Sequence, residues 1–427
     1  MTNPREIASL ILATVYKGKT LDNALNDYRD LSLLEIRDRS FINLLVLTAL
    51  RRHGEINNVI LKFIKKPLKK NSRINFILRI AIAQLLFIDI PDYPVVDNAV
   101  EISKKYGFGG FVNAVLRNIL RNKNSIIKNL RPENNIPDWI KNDLDNHFNK
   151  TSISSISKQI VKEPFVDIKI KKDVFKEFNW EKLLGGRLIF PETIRIKNKV
   201  EIKKLPFYDN GYWWVQGLAA TLPVTVINDI FKKKDPRKIS VLDVGSAPGG
   251  KLFQLLDLGY NVDSIEISSL RIKTLINNLE RLKYKTRIMR MNFNNLNTLK
   301  KFDCILIDAP CSASGLMQKK PEILLSNKDI SKLVNKQWQM LITATKHLKN
   351  RGFIIYCVCS IISKEGEVQM KNFLEKYKNF SLEIPFQSIK NFGYLNRKIP
   401  SILISPNFFK EDGGIDGFFI ACLKKNY

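Results

Sequence analysis

Two short runs, Asp308-Ala309-Pro310-Cys311-Ser312 and Tyr356-Cys357-Val358-Cys359-Ser360, each place a thiol just beyond an apolar, strand-like stretch. A thiolate is the side chain best suited to add to C6 of a pyrimidine, which turns C5 into an enamine-like carbon able to take a methyl group. A second group must then remove the C5 proton so that the sulfur can leave, and a carboxyl near the base should bond N3 or the exocyclic amine. Cys311 and Cys359 are the candidates for the two sulfur roles, and Asp308 fits the third. A zinc site built from Cys311, Cys357 and Cys359 competes, but the chain has no Cys-x-x-Cys and only 3 histidines, so no metal is expected. Cys304, Cys357 and Cys422 lie inside apolar strands and read as small hydrophobes.

A second pattern lies upstream. Val241-Leu242-Asp243-Val244 runs into Gly245-Ser246-Ala247-Pro248-Gly249-Gly250-Lys251, a strand, a small-residue turn and the start of a helix. Small residues there let backbone N–H groups and the helix N-terminus approach a ligand. Gly245, Gly250 and Lys251 have the spacing of a Walker A loop, but Leu252 occupies the position where a Ser or Thr must hold magnesium. The Gly-x-Gly-x-x-Gly of a dinucleotide fold is not satisfied either. Glu266, at the end of the next strand, is placed to accept both hydroxyls of a ribose. A ribose without a polyphosphate points to S-adenosylmethionine, and Arg271 completes the cofactor set on this side of the loop.

The elements that must position these groups are legible in outline. Up to about residue 135 apolar residues recur at three and four, as in Phe41, Leu44 and Leu45, and strand alternation is absent. A polar stretch at 142–163 leads into β-like runs at 165–170 and 193–196 around a Lys-rich helix, a small α/β linker. From about residue 239 strands and helices alternate, which predicts a mostly parallel sheet covered on both faces. Its strands are expected at 239–244, 261–265, 287–291, 302–307 and 353–358. Ile330, Leu333, Val334, Gln337, Trp338, Leu341 and Ile342 form one helical stripe, read as core rather than as a cofactor box. The expected boundaries are 1–138 for an all-α domain, 139–205 for the linker and 206–427 for the α/β Rossmann-like domain.

Composition constrains the partners. At 427 residues the chain exceeds one core, and a hydrophobic fraction of 44% excludes wholesale disorder. Lys+Arg 70 against Asp+Glu 41 leave a net charge of +29, which suits a polyanion. The alternative is a lysine-rich proteome, to which the many Lys, Asn and Ile residues also point. Basic residues gather at the helical joints, including Arg37 and Arg39, Arg51 and Arg52, Lys69 and Lys70, and Arg117 with Arg121. On charge pattern alone they are either a solvated face or a surface for RNA or a protein. The five cysteines and the absence of a cationic leader predict free thiols in the cytoplasm. The most apolar run, 77–88, is broken by Arg79 and Gln84 and is too short to span a bilayer.

Taken together, these residues resemble the Nop/Sun class of RNA cytosine-5 methyltransferases, and within it the bacterial RsmB (Sun, Fmu) family that modifies small-subunit rRNA. The resemblance covers nearly the whole chain. It implies a class I methyltransferase domain with a mixed, mostly parallel seven-stranded sheet, with S-adenosylmethionine held by the run from Gly245 to Lys251. It further implies Cys359 as nucleophile, Cys311 as the releasing cysteine, and 16S rRNA as substrate of a monomeric enzyme. The N-terminal domain resembles NusB, an all-α RNA-binding fold, through Arg37-Asp38-Arg39-Ser40-Phe41, Pro94-Val95-Val96-Asp97-Asn98-Ala99-Val100 and Phe111-Val112-Asn113-Ala114-Val115-Leu116-Arg117. That adds Asn113 to the candidate RNA contacts and favours the RNA reading of the basic joints. Asp416-Gly417-Phe418-Phe419 resembles the closing strand. The sequence departs from the family pattern at Val358 (Thr), Asn292 (Asp) and Gly217 (Asp). Asn292 can still hydrogen-bond an adenine or its ribose, without charge. A noncatalytic RNA-binding or antitermination protein with a relic methyltransferase fold is the competing reading.

Overall fold

In a computed structural model, which describes all residues except 1–2, 70, 148–149, 198–200, 328, 385–386 and 397–398, the chain divides into two compact units. One comprises Met1–Lys162 with Met317–Asn327, and the other Glu163–Leu316 with Lys328–Tyr427.

The first unit is helical. Among its helices are Pro4–Tyr16, Ile36–Arg51, His53–Phe63, Arg73–Phe87, Asp92–Lys104 and Gly109–Arg121. Polar caps fix several starts: Asn3, Thr20 and Ser72 each accept a backbone N–H of the first turn. Ile7, Ile11, Leu12, Ile42, Leu45, Leu78, Ile82, Val112 and Leu116 form a continuous core. The two polar residues that break the 77–88 run are both buried and both hydrogen-bonded. Arg79 donates to Asn57 Oδ1 at 2.8 Å, Asn75 Oδ1 at 3.1 Å and His53 O at 3.2 Å, while Gln84 Oε1 accepts from Arg5 Nε at 2.8 Å.

The unit boundary falls at Lys162 rather than 138 because helices Asp138–His147 and Lys150–Ile160 belong to the helical unit. Ile140, Leu144, Ile156 and Ile160 are buried, and Trp139 Nε1 donates to Ser326 O at 2.7 Å. The stretch read as polar linker hides this amphipathic spacing.

The second unit holds two sheets. Strands β1 (Phe165–Ile170), β2 (Arg187–Phe190), β3 (Thr193–Lys197) and β4 (Trp213–Val215) form an antiparallel sheet in the order β2-β3-β1-β4. It clusters with the larger sheet instead of standing apart as a 139–205 linker. Arg195 on β3, held by Asp167 on β1, links the small sheet to the turn before β13. Arg195 donates to both Asp167 oxygens at 2.6 and 2.9 Å, and its remaining guanidinium nitrogen reaches Asp412 O and Gly414 O at 2.9 and 2.7 Å.

The larger sheet contains β5 (Ser240–Val244), β6 (Asn261–Glu266), β7 (Arg287–Arg290), β8 (Phe302–Asp308), β9 (Leu348–Val358), β10 (Phe380–Leu382), β11 (Tyr394–Asn396), β12 (Ser401–Ile404) and β13 (Phe418–Lys425). The order is β11-β12-β13-β9-β8-β5-β6-β7, with β10 paired to β13. β7, β6, β5, β8 and β9 run parallel, and β13 joins β9 antiparallel. All five strands expected from sequence are present. The sheet has nine strands among the described residues rather than seven, because β10 and β11, three residues each, extend its antiparallel end.

The central parallel strands β5 and β8 are buried, largely apolar runs, as a sheet covered on both faces demands, whereas the edge strand β7 is partly exposed. Their register decides the site. Val244 pairs with Ile265 and Ile307, and Asp308 with Cys357, so β5, β6, β8 and β9 all release their following loops at one carboxyl edge. The stripe of helix Ile330–His347 packs below that edge through Gln337, Met340, Leu341 and Ala344.

Candidate active site

The loop after β5 depends on two glycines. Gly245 has φ +83°, and a Cβ there would lie 2.7 Å from Asp308 O. Gly249 has φ +119°, and a Cβ would meet the Phe253 ring at 1.9 Å. Both positions exclude other residues on conformation and on space. Helix Gly250–Asp257 starts immediately after. Ser246 Oγ donates to Asp243 O at 2.9 Å, and both Asp243 carboxyl oxygens are buried without a hydrogen-bond partner. Burial accordingly pushes that carboxyl up to about 7 against the opposing influence of Ser246 and Lys251.

Glu266 closes β6, buried and turned to the loop. Its Oε1 accepts Ile267 N and Ser268 N at 3.0 Å, and its Oε2 accepts Ala247 N at 3.3 Å. Arg271 bridges the two elements, donating to Ala247 O and approaching Glu266 Oε2 at 3.3 Å. Three backbone N–H donors thus aim Glu266, two on Oε1 and one on Oε2, and the second lone pair of Oε2 remains beside the Arg271 guanidinium.

Lys251 is turned away from this acid to Asp308, with Nζ 2.8 Å from Oδ2 and 5.4 Å from the Phe418 ring centroid. Burial is the largest single influence and pulls the ammonium down, but the charge and hydrogen bond of Asp308 together with the neighbouring Cys357 and Asp243 outweigh it, and the net shift is upward. Lys251 therefore stays protonated.

Cys311 Sγ and Cys359 Sγ lie 3.3 Å apart, both half-buried. The hydrogen bond to Cys359, then burial, holds the Cys311 thiol well above its ordinary range. Cys304, Cys357 and Cys422 are fully buried in the sheet, and burial raises all three thiols, which agrees with their reading as packing residues. Cys357 is the one that touches the site, donating to Ile307 O at 3.4 Å and lying 3.9 Å from Asp308 Oδ1.

A cavity of about 480 Å³ joins these groups. Gly245, Glu266, Arg271, Asn292, Asp308, Cys311 and Cys359 all line it. Ser246, Ala247, Pro248, Gly249, Gly250 and Lys251 do not; of these, Ala247 bonds Glu266 and Lys251 bonds Asp308. The sequence reading missed Ile267, Met291, Phe293, Asn294, Lys336 and Met340, which also line it. Position at a strand end could have signalled Ile267 and Met291. Lys336 and Met340 sit one turn apart on the same side of the stripe, just outside it, and carried no signal.

A scan of known families finds that one described as 16S rRNA methyltransferase RsmB/F matches residues 231–424 and one described as NusB matches residues 2–121. Residues 231–424 are thus similar to the RsmB/F methyltransferase family, and residues 2–121 to the NusB family. The Ribosomal RNA small subunit methyltransferase B of Erwinia tasmaniensis is 27% identical, covering 100% of this chain and 99% of the relative. That of Pasteurella multocida is 26% identical over 98% and 95%. Among solved structures, PH0851 superposes with a TM-score of 0.73 at 20% identity over 100% of this chain and 99% of its own. NSun6 from Pyrococcus horikoshii, solved with SFG, gives 0.57 at 20% over 68% and 99%. These two share the fold.

The three departures acquire physical settings in this structure. Val358 is fully buried among sheet residues and does not line the cavity. Asn292 does line it, with Oδ1 accepting Asn294 N at 3.1 Å. Gly217 precedes helix Leu218–Phe231 and has no side chain to cap it; Asp167 Oδ2 accepts Leu218 N at 2.8 Å instead.

The RNA candidates separate by exposure. Arg37, Arg39, Lys69, Arg117 and Arg121 are exposed, and Asn113 is half-buried with Oδ1 accepting Arg117 Nε at 2.9 Å. Lys70 lies outside the described residues. Arg51 is a correction: it is 4% exposed and its Nε donates to Gln318 O at 3.1 Å, so it faces inward and no phosphate can reach it. Arg52 pairs with Glu55 at 3.0 Å and stacks over Phe87. Among the described residues no helix is long and apolar enough to cross a membrane, and no group of three or more His, Cys, Asp and Glu could hold a metal.

Proposed function

We propose that this chain is an S-adenosylmethionine-dependent enzyme that methylates C5 of a cytosine in 16S rRNA through a covalent bond between Cys359 and C6. The observation that carries the reading is the 3.3 Å sulfur pair opening, with Asp308, into the same cavity as Glu266. Names given to full-length relatives supply the rRNA.

The residues fit the cofactor. Glu266 offers acceptors for ribose hydroxyls, Ile267, Met291 and Phe293 offer apolar surface to an adenine, and the missing Cβ of Gly245 leaves the floor open. When bound, S-adenosylmethionine supplies an electrophilic methyl group.

Cys359 as thiolate adds to C6 of the cytosine, and the displaced ring electrons make C5 nucleophilic while N3 takes a proton from solvent, to which it is later returned. Asp308, kept in place by Lys251, bonds the N3 and amine edge. The leading reason that Cys311 keeps its proton is its hydrogen bond to Cys359. Once Cys359 Sγ is bonded to carbon that reason weakens, Cys311 releases its proton to solvent, and its thiolate can take the proton from methylated C5. The C5–C6 double bond reforms, N3 gives up its proton, and Cys359 leaves as thiolate. Exposed Arg37, Arg39, Lys69, Arg117 and Arg121, with Asn113, are proposed to hold RNA phosphates, the protein acting as a cytoplasmic monomer.

Retention of both thiols, Asp308 and Lys251 in one constellation favours an enzyme over a relic fold. The test is transfer of labelled methyl to 16S rRNA with two variants. Cys311→Ala should accumulate a covalent protein–RNA adduct, whereas Cys359→Ala should give neither adduct nor product. Methylation by Cys359→Ala would overturn the assignment.

A further inference from the structure

Glu365 lies in the turn Ser363–Glu365 just after β9, fully buried and outside the cavity lining. Its Oε2 accepts Ser312 Oγ and Ser360 Oγ, each at 2.6 Å. Its Oε1 accepts Ser312 N at 2.8 Å and Gln337 Nε2 at 3.1 Å. Ser312 follows Cys311 and Ser360 follows Cys359 in sequence, so one carboxyl group joins the residues next to both thiols. Ser312, Ser360 and Gln337 are themselves fully buried.

The two serine hydroxyls also meet directly, at 3.2 Å. The β8–β9 ladder ends at Asp308 with Cys357, short of both cysteines. Beyond it the two loops are stitched by the Ser314 and Ser360 hydroxyls at 3.0 Å, Ile361 N to Ser314 Oγ at 3.0 Å and Gly315 N to Cys359 O at 3.1 Å. Ser360 Oγ, bound to Glu365, is the node of that stitching. Ala313, between Ser312 and Ser314, has φ +61°, a left-handed conformation that alanine keeps only where its surroundings impose it. Burying a carboxyl carries a desolvation penalty, and here its partners are two hydroxyls and two amide N–H groups. Such an arrangement is worth its penalty where it fixes geometry that weaker contacts would leave loose.

We propose that Glu365 is a positioning residue that sets the distance and orientation of Cys311 and Cys359 by clamping Ser312 to Ser360. It touches neither substrate nor cofactor and acts only through the two serines. The assignment of catalytic roles to the thiols rests on the reading in the preceding section, but the clamp itself can be measured without it.

The experiment uses the full-length chain with Glu365→Gln, which preserves volume and removes one acceptor. The first readout is the effective molarity of the Cys311–Cys359 pair, obtained by equilibrating the protein with oxidised and reduced glutathione. The pair is oxidised to a disulfide as glutathione disulfide is reduced to two thiols, and alkylation with mass analysis quantifies each form. Loosening the clamp should lower the effective molarity by about tenfold. The second readout is methyl transfer, where kcat should fall roughly a hundredfold with KM for RNA and affinity for S-adenosylmethionine unchanged. A purely structural role would lower Tm and leave both readouts, per folded molecule, at wild-type values; that outcome overturns the clamp. If Glu365→Gln does not fold, Ser360→Ala removes the Cys359 side of the clamp, together with the Ser360 contacts to Ser312 and Ser314, and should move both readouts in the same direction, and wild-type values there also overturn it. A wild-type protein that makes no 5-methylcytosine, yet whose thiol equilibrium responds to Glu365→Gln, would reject the proposed reaction and keep the clamp.

Discussion

Lys251 Nζ lies 2.8 Å from Asp308 Oδ2, joining the first turn after the cofactor loop to the residue that begins the Asp-Ala-Pro-Cys-Ser run. The pair belongs to one edge of the sheet because β5 and β8 are parallel neighbours. Lys251→Met should therefore leave the Asp308 carboxyl without its cation and lower stability by about 1–3 kcal/mol, less than a fully buried pair since Asp308 is partly exposed. Activity should fall further than affinity for S-adenosylmethionine, because Lys251 does not line the cavity. Equal losses in kcat and cofactor affinity, measured by turnover and calorimetry, would place Lys251 in the cofactor site instead.

Asp243 predicts a pH dependence of stability. Burial takes its carboxyl from an ordinary value of 3.8 to about 7. Between about pH 4 and pH 7 the folded chain holds a proton that the unfolded chain has released, so its stabilising contribution is complete below that window and is lost as pH rises through it. Asp243→Asn cannot ionise. The variant should gain stability relative to wild type as pH goes from 5 to 8, read as the difference between two urea-melt series. A difference that stays flat across that range would show that Asp243 does not titrate there.

The Asp167–Arg195 pair is a different case, buried on both sides and bidentate. Asp167→Ala leaves a buried guanidinium unpaired and removes the acceptor for Leu218 N, and should lower stability by about 3–5 kcal/mol. Arg195 also holds Asp412 O and Gly414 O, so amide exchange should quicken around that turn as well as at Leu218. A loss under about 1 kcal/mol would mean that water replaces the carboxyl.

How far the sequence announced all this depends on how local each signal is. The β5 and β8 strands are apolar runs that end on unusual residues, so the loop at Gly245, Asp308, Cys311 and Cys359 could be placed on one edge from pattern alone. Glu266 was visible for the same reason. Glu365 was not: in Ser363-Lys364-Glu365-Gly366-Glu367 it looks like one charge of a solvated turn, and only the return of Ser312 and Ser360 to the same point makes it a buried acceptor. Arg51 misled in the opposite sense, since a basic residue at a helix end has no local feature that separates a phosphate contact from a bond to a distant carbonyl. β10 and β11 are too short for an alternation to register. The small sheet's attachment depends on Arg195 reaching Asp412 O and Gly414 O, across 217 and 219 positions.

That distinction between exposed and buried arginines gives the last expectation. Arg117 and Arg121 lie one helical turn apart on Gly109–Arg121 and are both exposed. If they hold phosphates, Arg117→Gln with Arg121→Gln should weaken binding to rRNA fragments and lower the slope of log affinity against log salt by about 0.7–0.9 for each phosphate no longer neutralised. Melting temperature should stay within error, because neither residue is part of the core. Arg51→Gln should behave in the reverse way: its salt slope should match wild type while stability falls by about 1–3 kcal/mol, through the orphaned carbonyl of Gln318 and the buried polar group that replaces the guanidinium. A salt slope that drops for Arg51→Gln and holds for the exposed pair would reverse the assignment of which basic residues meet RNA.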